Sequence, residues 1–338
     1  MKNIEKKYQQ LLEPSDDLVS EMASLDGDIL ILGVGGKMGP DLARLAKSAV
    51  DKSGSRKKVI GASRFSEKGL QDELEQKGIE TYAIDLLQDQ QLQALPDAKN
   101  VIYLAGTKFG TSGKESFTWA MNSYLPGRVA EKYRNSRIVV FSTGNVYHLT
   151  SILLGGATEE QQTQPFGEYA QSCLGRERVF QYFSSVYKTP MLIFRLNYAN
   201  DVTYGVLMDI ARAVKERKSI DLNMGHVNVM WQGDANERAL RSLLHCQAPP
   251  KILNIAGPEI VSVRWVAEEF GRIYGIAPVF SGQEQGTALL SNAAESFKLF
   301  GYPKVPLKEM LGLLAEWISQ GGKTLNKPTH FQEREGQF

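Results

Sequence analysis

Hydrophobic residues along this chain alternate between two textures: short continuous runs, and longer stretches in which they recur every three or four positions. The first run is Ile29-Leu30-Ile31-Leu32, between Asp28 and Gly33. A run this short, apolar on both faces and closed by glycine, predicts a strand buried on both sides, as in parallel sheets. Leu42, Leu45, Ala46 and Val50 then follow at helical spacing. The alternation continues, predicting strands over 58–62, 81–84, 100–105, 137–142 and 190–195 and helices over 70–77, 86–95, 117–134 and 168–186. This pattern predicts the α/β class, a Rossmann-type doubly wound parallel sheet. Right-handed crossovers bring the C-terminal ends of all strands to one edge, where a ligand crevice is expected.

Both flanks differ from this centre. Residues 1–27 are polar, with Leu11, Leu12, Leu18, Val19 and Met22 spaced for one or two short helices. Beyond 195 the order loosens: helices are expected at 206–218, 235–244, 263–274 and 307–320, and short strands at 226–230, 252–255 and 277–280. The division expected is a helical extension (1–27), an NAD(P)-binding Rossmann domain (28–195), a smaller C-terminal α/β region that binds substrate (196–322), and a polar tail (323–338) that is either loose or an arm packing on a partner.

Charge narrows the ligands. Lys+Arg of 39 against Asp+Glu of 38 leaves a net charge of +1, with no basic field for nucleic acid. The cluster Arg56-Lys57-Lys58 reads as a solvated loop before a strand. Two cysteines, Cys173 and Cys246, have no metal or redox spacing, and four histidines show no ligand pattern, so no metal is expected. The N-terminal residues lack an apolar signal core, and no run reaches the roughly 20 residues of a membrane span, so a cytoplasmic protein with no membrane partner is expected.

The first strand opens into Gly33-Val34-Gly35-Gly36-Lys37-Met38-Gly39. Met38 breaks the spacing G-x-G-x-x-G, whereas Gly33, Gly36 and Gly39 fit G-x-x-G-x-x-G. Either spacing gives a tight turn, close backbone approach to a pyrophosphate, and a helix N-terminus whose N–H groups face an anion. The turn, Lys37 and Met38 included, is therefore the expected dinucleotide site. NAD binders place an acid at the end of the second strand, about 20 residues on. Here that strand ends Ala62-Ser63-Arg64, which favours the 2′-phosphate of NADP, with NAD as the alternative.

With these pieces in order, the chain resembles the extended short-chain dehydrogenase/reductase superfamily, the sugar-nucleotide epimerases, dehydratases and related reductases. The resemblance covers residues 28–320. It rests on the three glycines, Ile84-Asp85-Leu86, Tyr103-Leu104-Ala105-Gly106, Asn122, Ser142-Thr143-Gly144-Asn145-Val146-Tyr147, Tyr169, Glu177, Arg195, the stretch from Trp231 to Asp234, and Asn254 to Pro258. It implies an NAD(P)-dependent epimerase, dehydratase or reductase acting on a hydroxyl or ketone of a sugar-like substrate, and, by analogy, a homodimer. Asp85 and Leu86 would meet the adenine end, and Leu104, Ala105, Gly106 and Asn122 would flank the cofactor. Ser142 or Thr143 would polarise the reacting oxygen, and Tyr169 would be the acid/base. In the family a lysine four residues after the tyrosine lowers the tyrosine pKa; here that position is Cys173. Arg176, two helical turns from Tyr169, and Lys108, in the loop after the fourth strand, are the candidate substitutes. Cys173 itself reads as an inert buried residue, and His148 is an alternative base. The other reading is a dinucleotide-binding sensor of the same fold that has lost turnover.

Overall fold

The computed structural model describes residues 2–108 and 113–336; residue 1, residues 109–112 and residues 337–338, the end of the expected tail, lie outside the described residues. Two helices, α1 (Lys2–Gln10) and α2 (Asp16–Ser24), precede β1 (Ile29–Leu32), α3 (Gly39–Lys52), β2 (Val59–Ser63), α4 (Leu70–Gln76), β3 (Glu80–Ala83), α5 (Asp89–Ala94) and β4 (Asn100–Tyr103). Helices α6 (Glu115–Trp119) and α7 (Leu125–Lys132) flank a π-helical turn at Ala120–Tyr124. Next come β5 (Arg137–Thr143), α8 (Gly167–Tyr187) and β6 (Met191–Leu196).

The C-terminal region contributes α9 (Val206–Lys215), α10 (Gln232–Arg241), β7 (Lys251–Ile255), α11 (Val263–Tyr274), α12 (Ala294–Phe300) and α13 (Leu307–Ser319). The sheet is parallel throughout, in the order β7-β6-β5-β4-β1-β2-β3. Its seventh strand is the short apolar run expected at 252–255, which returns from the C-terminal region to pair Leu253 with Phe194.

Alternation explains the layers. Ile29 and Ile31 of β1 face one side, packing with Leu18, Met22, Leu42 and Ala46. Leu30 and Leu32 face the other, with Leu125, Val129 and Phe180. Each β1 side chain is fully buried, which is why the run carries no polar residue. A third core, built around Trp231, Phe270 and Leu314, supports the C-terminal region.

The N-terminal helices join the two halves, and the tail packs on the C-terminal region. Ile4 is buried, and the Tyr8 ring packs edge-on to Trp231 and against Trp317. The Tyr8 hydroxyl donates to Asp201 Oδ2 (3.0 Å). Ser15 caps α2 and also donates to Glu237 of α10 (2.6 Å), while Arg241 of α10 pairs with Glu21 (2.8 Å). The tail is an arm laid on its own chain: Leu325 N donates to Thr203 O (2.9 Å), Thr329 donates twice to Asp209 Oδ2 (2.8 and 2.7 Å), and Arg334 donates to Thr287 O (2.8 Å). Among the described residues no helix is long and apolar enough to cross a membrane, and no cluster of three metal-ligating side chains occurs.

Candidate active site

The three motif glycines answer to three different constraints. Gly33 has φ +90, and a Cβ there would stand 2.7 Å from Ala105 N. A Cβ at Gly39 would stand 2.2 Å from Val34 O. Both are fixed by the chain's own packing. Gly36 has a single neighbour for an added Cβ, Gly33 O at 3.3 Å, and otherwise faces open groove. Its small size serves whatever lies in that groove. Helix α3 starts immediately after, with Met38 at its N-cap, Pro40 in its first turn and no side chain capping its first N–H groups. Those donors and the helix dipole point at the same place.

Two cavities meet over this turn and share Gly33, Gly36, Leu104 and Gly106 as walls. The outer one, about 200 Å³, is lined by Ser63, Arg64, Asp85, Leu86 and Ala105. Ser63 Oγ accepts from Phe65 N (3.2 Å), and Asp85 Oδ1 accepts from Leu87 N (3.0 Å), so each side chain also shapes its own turn. The inner one, about 420 Å³, takes Lys37, Met38, Gly39, Ser142, Thr143 and Tyr169 from the Rossmann half. Its far wall is Asn197, Tyr204 and Gln232 from beyond β6, with Thr329 of the arm. Asn122 lines neither cavity. It sits in the π-helical turn and clamps the loop after β4 from behind, donating to Thr107 O (2.9 Å) and accepting from Thr107 N (3.0 Å).

Ser142 lines the inner cavity, but its hydroxyl donates to Glu177 Oε1 (2.5 Å). Glu177 is clasped by Arg195 through two bonds of 2.9 and 2.6 Å, and Arg195 donates to the Tyr147 hydroxyl (2.6 Å), which donates to Asn254 Oδ1 (2.9 Å). With side-chain exposures of 2% and 0%, the Arg195–Glu177 pair is a closed ionic floor beneath the cavity. Thr143 is the hydroxyl that faces Tyr169. Its Oγ1 accepts from Asn145 N (3.2 Å) and Nδ2 (3.0 Å), and it hydrogen-bonds the phenol.

The Tyr169 phenol also contacts the Cys173 thiol. Burial, and then Cys173, push the Tyr169 pKa up, and the charge of Arg176 only partly opposes them. The phenol is therefore protonated at neutral pH. Burial raises the Cys173 thiol too, as expected of an inert cysteine.

Both cations expected near Tyr169, Arg176 and Lys108, line this cavity. Arg176 donates to Phe141 O (2.9 Å) and Asn122 Oδ1 (2.8 Å). Lys108 Nζ lies 5.6 Å from the centre of the Tyr169 ring, and burial lowers its pKa to about 8. His148 is elsewhere, in a second cavity beside the arm, with its Nε2 3.3 Å from Gln161 Nε2.

Three features of the site lie outside the sequence reading. Lys37 spans the cavity to place Nζ 3.5 Å from the centre of the Tyr204 ring. Thr329 reaches the site from the tail, and the Glu177–Arg195 pair sequesters Ser142. Each depends on contacts between distant parts of the chain, and no local pattern announces them.

No family model and no curated protein matches this chain. Solved structures do. UDP-glucose 4-epimerase from Thermotoga maritima is 16% identical, with 87% of this chain and 99% of that one covered and a TM-score of 0.72. UDP-glucuronic acid 4-epimerase from Bacillus cereus, in complex with NAD, is 18% identical, with coverages of 88% and 100% and a TM-score of 0.70. An epimerase from Methanothermobacter thermautotrophicus is 17% identical, with coverages of 90% and 96% and a TM-score of 0.71. The chain has the fold of these epimerases, as its sequence resemblance implied.

Proposed function

We propose that this protein is an NAD(P)-dependent enzyme acting on a hydroxyl or ketone carbon of a sugar or sugar derivative. One observation carries the reading: an open groove runs across the Gly36 turn, from a polar pocket at the ends of β2 and β3 to a phenol–hydroxyl pair after β5. A dinucleotide fits this groove. Its pyrophosphate would lie over Gly36 and the N-terminus of α3, its adenosine beside Asp85 and Leu86, and its nicotinamide toward Thr143 and Tyr169. Bound there, the nicotinamide supplies the redox chemistry.

The chain's own residues supply position and protons. Asn122 holds the loop after β4 against the groove. Thr143 orients the phenol, and Tyr169, protonated at neutral pH, donates a hydrogen bond to a substrate carbonyl oxygen and delivers the proton as that oxygen becomes a hydroxyl. A phenol held in its acid form suits reduction of a ketone better than removal of a proton from an alcohol. Ser63 and Arg64 at the outer pocket favour NADP, through a charge-assisted contact to the 2′-phosphate. The epimerase from Bacillus cereus binds NAD, and the acid expected of an NAD binder at the end of β2 is absent here.

Cys173 favours a second reading, a sensor that binds dinucleotide without turnover, because it supplies no cation to the phenol. Denaturing the purified protein and identifying released dinucleotide by mass spectrometry, then adding NADPH with a panel of keto-sugars, tests the proposal. NADPH oxidation by a keto-sugar supports the enzyme. Binding without turnover of any panel member supports the sensor, and tightly retained NAD(H) overturns the NADP assignment.

A further inference from the structure

Helices α3 and α10 meet beside the inner cavity through one side-chain hydrogen bond. Gln232, the first residue of α10, donates from Nε2 to Oδ2 of Asp41, in the first turn of α3 (3.1 Å). Arg44 donates to the other Asp41 oxygen (2.6 Å). Burial raises the Asp41 pKa, and the charge and bond of Arg44 oppose it. A carboxylate paired with arginine accepts and does not donate, so it fixes which end of the amide turns toward it. Oε1 is left at the opposite end. Gln232 is only 5% exposed, and the inner cavity is the space it lines. Among the described residues no donor meets Oε1, and this oxygen is not sealed in protein. Two neighbours on the far wall have the same polarity: Asn197 Nδ2 donates to Leu289 O (3.2 Å), and Thr329 Oγ1 donates to Asp209 Oδ2 (2.7 Å). Each turns a donor into the protein and keeps an oxygen able to accept. An oxygen held with so little access to water favours a ligand that brings it a donor.

We infer that Gln232, oriented by Asp41, is a specificity residue: a fixed acceptor that selects a ligand carrying an O–H or N–H at the far wall over one carrying a carbonyl or ether oxygen there. This rests on the proposed function, which puts both the substrate and the nicotinamide in the inner cavity. Two donors share the required chemistry, a hydroxyl of the substrate and the carboxamide N–H of the nicotinamide. Asp41 does not line the cavity and acts through Gln232, as a positioning residue.

Two pairs of probes, titrated into the full-length protein, separate these sources. One pair is xylitol and its penta-O-methyl ether, which keeps every oxygen and has no O–H; their binding is followed by NMR, with and without NADPH. The other is NADPH and its 3-acetylpyridine analogue, which lacks the carboxamide N–H; their binding is measured by calorimetry. In at least one pair, wild type is expected to bind the donor-bearing member at least about fivefold more tightly than its counterpart. A preference in the first pair assigns the substrate hydroxyl, and one in the second assigns the carboxamide. Gln232→Met is expected to abolish that preference, whereas the bulk of the methyl groups would leave it intact. Asp41→Asn lets the amide turn round and is expected to narrow the same preference; a merely structural role would weaken both members of the pair alike. Equal binding within both pairs by wild type overturns the assignment, and so does a wild-type preference that persists in both variants. If a xylitol preference that depends on Gln232 is found in a protein that binds no NADPH, the specificity residue stands and the proposed function falls.

Discussion

The glycine turn and the phenol end of the groove are built by different means. The glycine turn is a backbone device: Gly33 and Gly39 are shaped by their neighbours, Gly36 leaves space, and the first turn of α3 presents N–H groups. Every part comes from one contiguous stretch. The end with the phenol is assembled from side chains on β5, α8, the loop after β4, the C-terminal region and the arm. The first kind of site tolerates change anywhere except at its own few positions. The second depends on every element that supports it, and so it diverges more readily.

The sharpest way to break the assembled end is through its floor. Glu177→Gln leaves Arg195 buried without its counter-charge, so a loss of about 3–5 kcal/mol in folding stability is expected by urea denaturation. An unchanged midpoint would mean the ionic floor is not closed. At the backbone end, Gly39→Ala and Gly36→Ala separate packing from ligand space. Gly39→Ala drives a methyl into Val34 O and is expected to cost about 3 kcal/mol or more. Gly36→Ala is expected to cost under about 1 kcal/mol while weakening dinucleotide binding at least about tenfold. Equal effects of the two on stability would erase the distinction.

Tyr169→Phe tests whether the assembled end performs chemistry: turnover is expected to fall on the order of 100-fold with dinucleotide affinity unchanged. Unchanged turnover would remove Tyr169 from the mechanism.

A smaller effect lies at Asp201, which accepts from the Tyr8 hydroxyl of α1. Burial and the nearby Asp41 raise Asp201 to about 6. A raised carboxyl stabilises the fold while protonated, so stability is lost as pH rises from about 4 through about 6. Asp201→Asn removes that loss. Between pH 5 and pH 8 the variant should lose less stability than wild type, by on the order of 1–2 kcal/mol, measured by urea titration at both pH values.

The contrast between the ends also explains how much the sequence told. The strands β1, β2, β4, β5 and β6 were legible because a largely apolar run forms the middle of each, whereas β3, at the sheet edge, is half-exposed and reads Glu-Thr-Tyr-Ala. The C-terminal region was harder. The strand expected at 226–230 is two short pieces, His226–Val227 and Met230–Trp231, joined to different partners. The ribbon of Thr150–Ser151 with Thr287–Ala288, and helix α12, are too short to leave a period. The sheet's seventh strand was visible as a strand, but its place beside β6 is a tertiary fact.

Site residues divide in the same way. The glycines, Ser63, Arg64, Asp85 and Tyr169 lie where the pattern put them, in one groove. Asn122, expected to flank the cofactor, lies behind the loop after β4 and lines neither cavity, and the Ser142 hydroxyl points down to Glu177. Sequence spacing locates a residue on an element and leaves the direction of its hydrogen bonds open. Lys37 shows the limit: its position in the turn was evident, while its reach to Tyr204 depends on how the C-terminal region folds back.

The proposed function depends on the groove, and titration of the dinucleotide-free protein with NADPH and NADH, for wild type and Gly36→Ala, tests it most directly. Saturable binding by wild type, tighter for NADPH than for NADH and weakened at least about tenfold in a normally folded Gly36→Ala, is the predicted result. A folded wild type that binds neither dinucleotide, or a Gly36→Ala variant that binds as well as wild type, would contradict it.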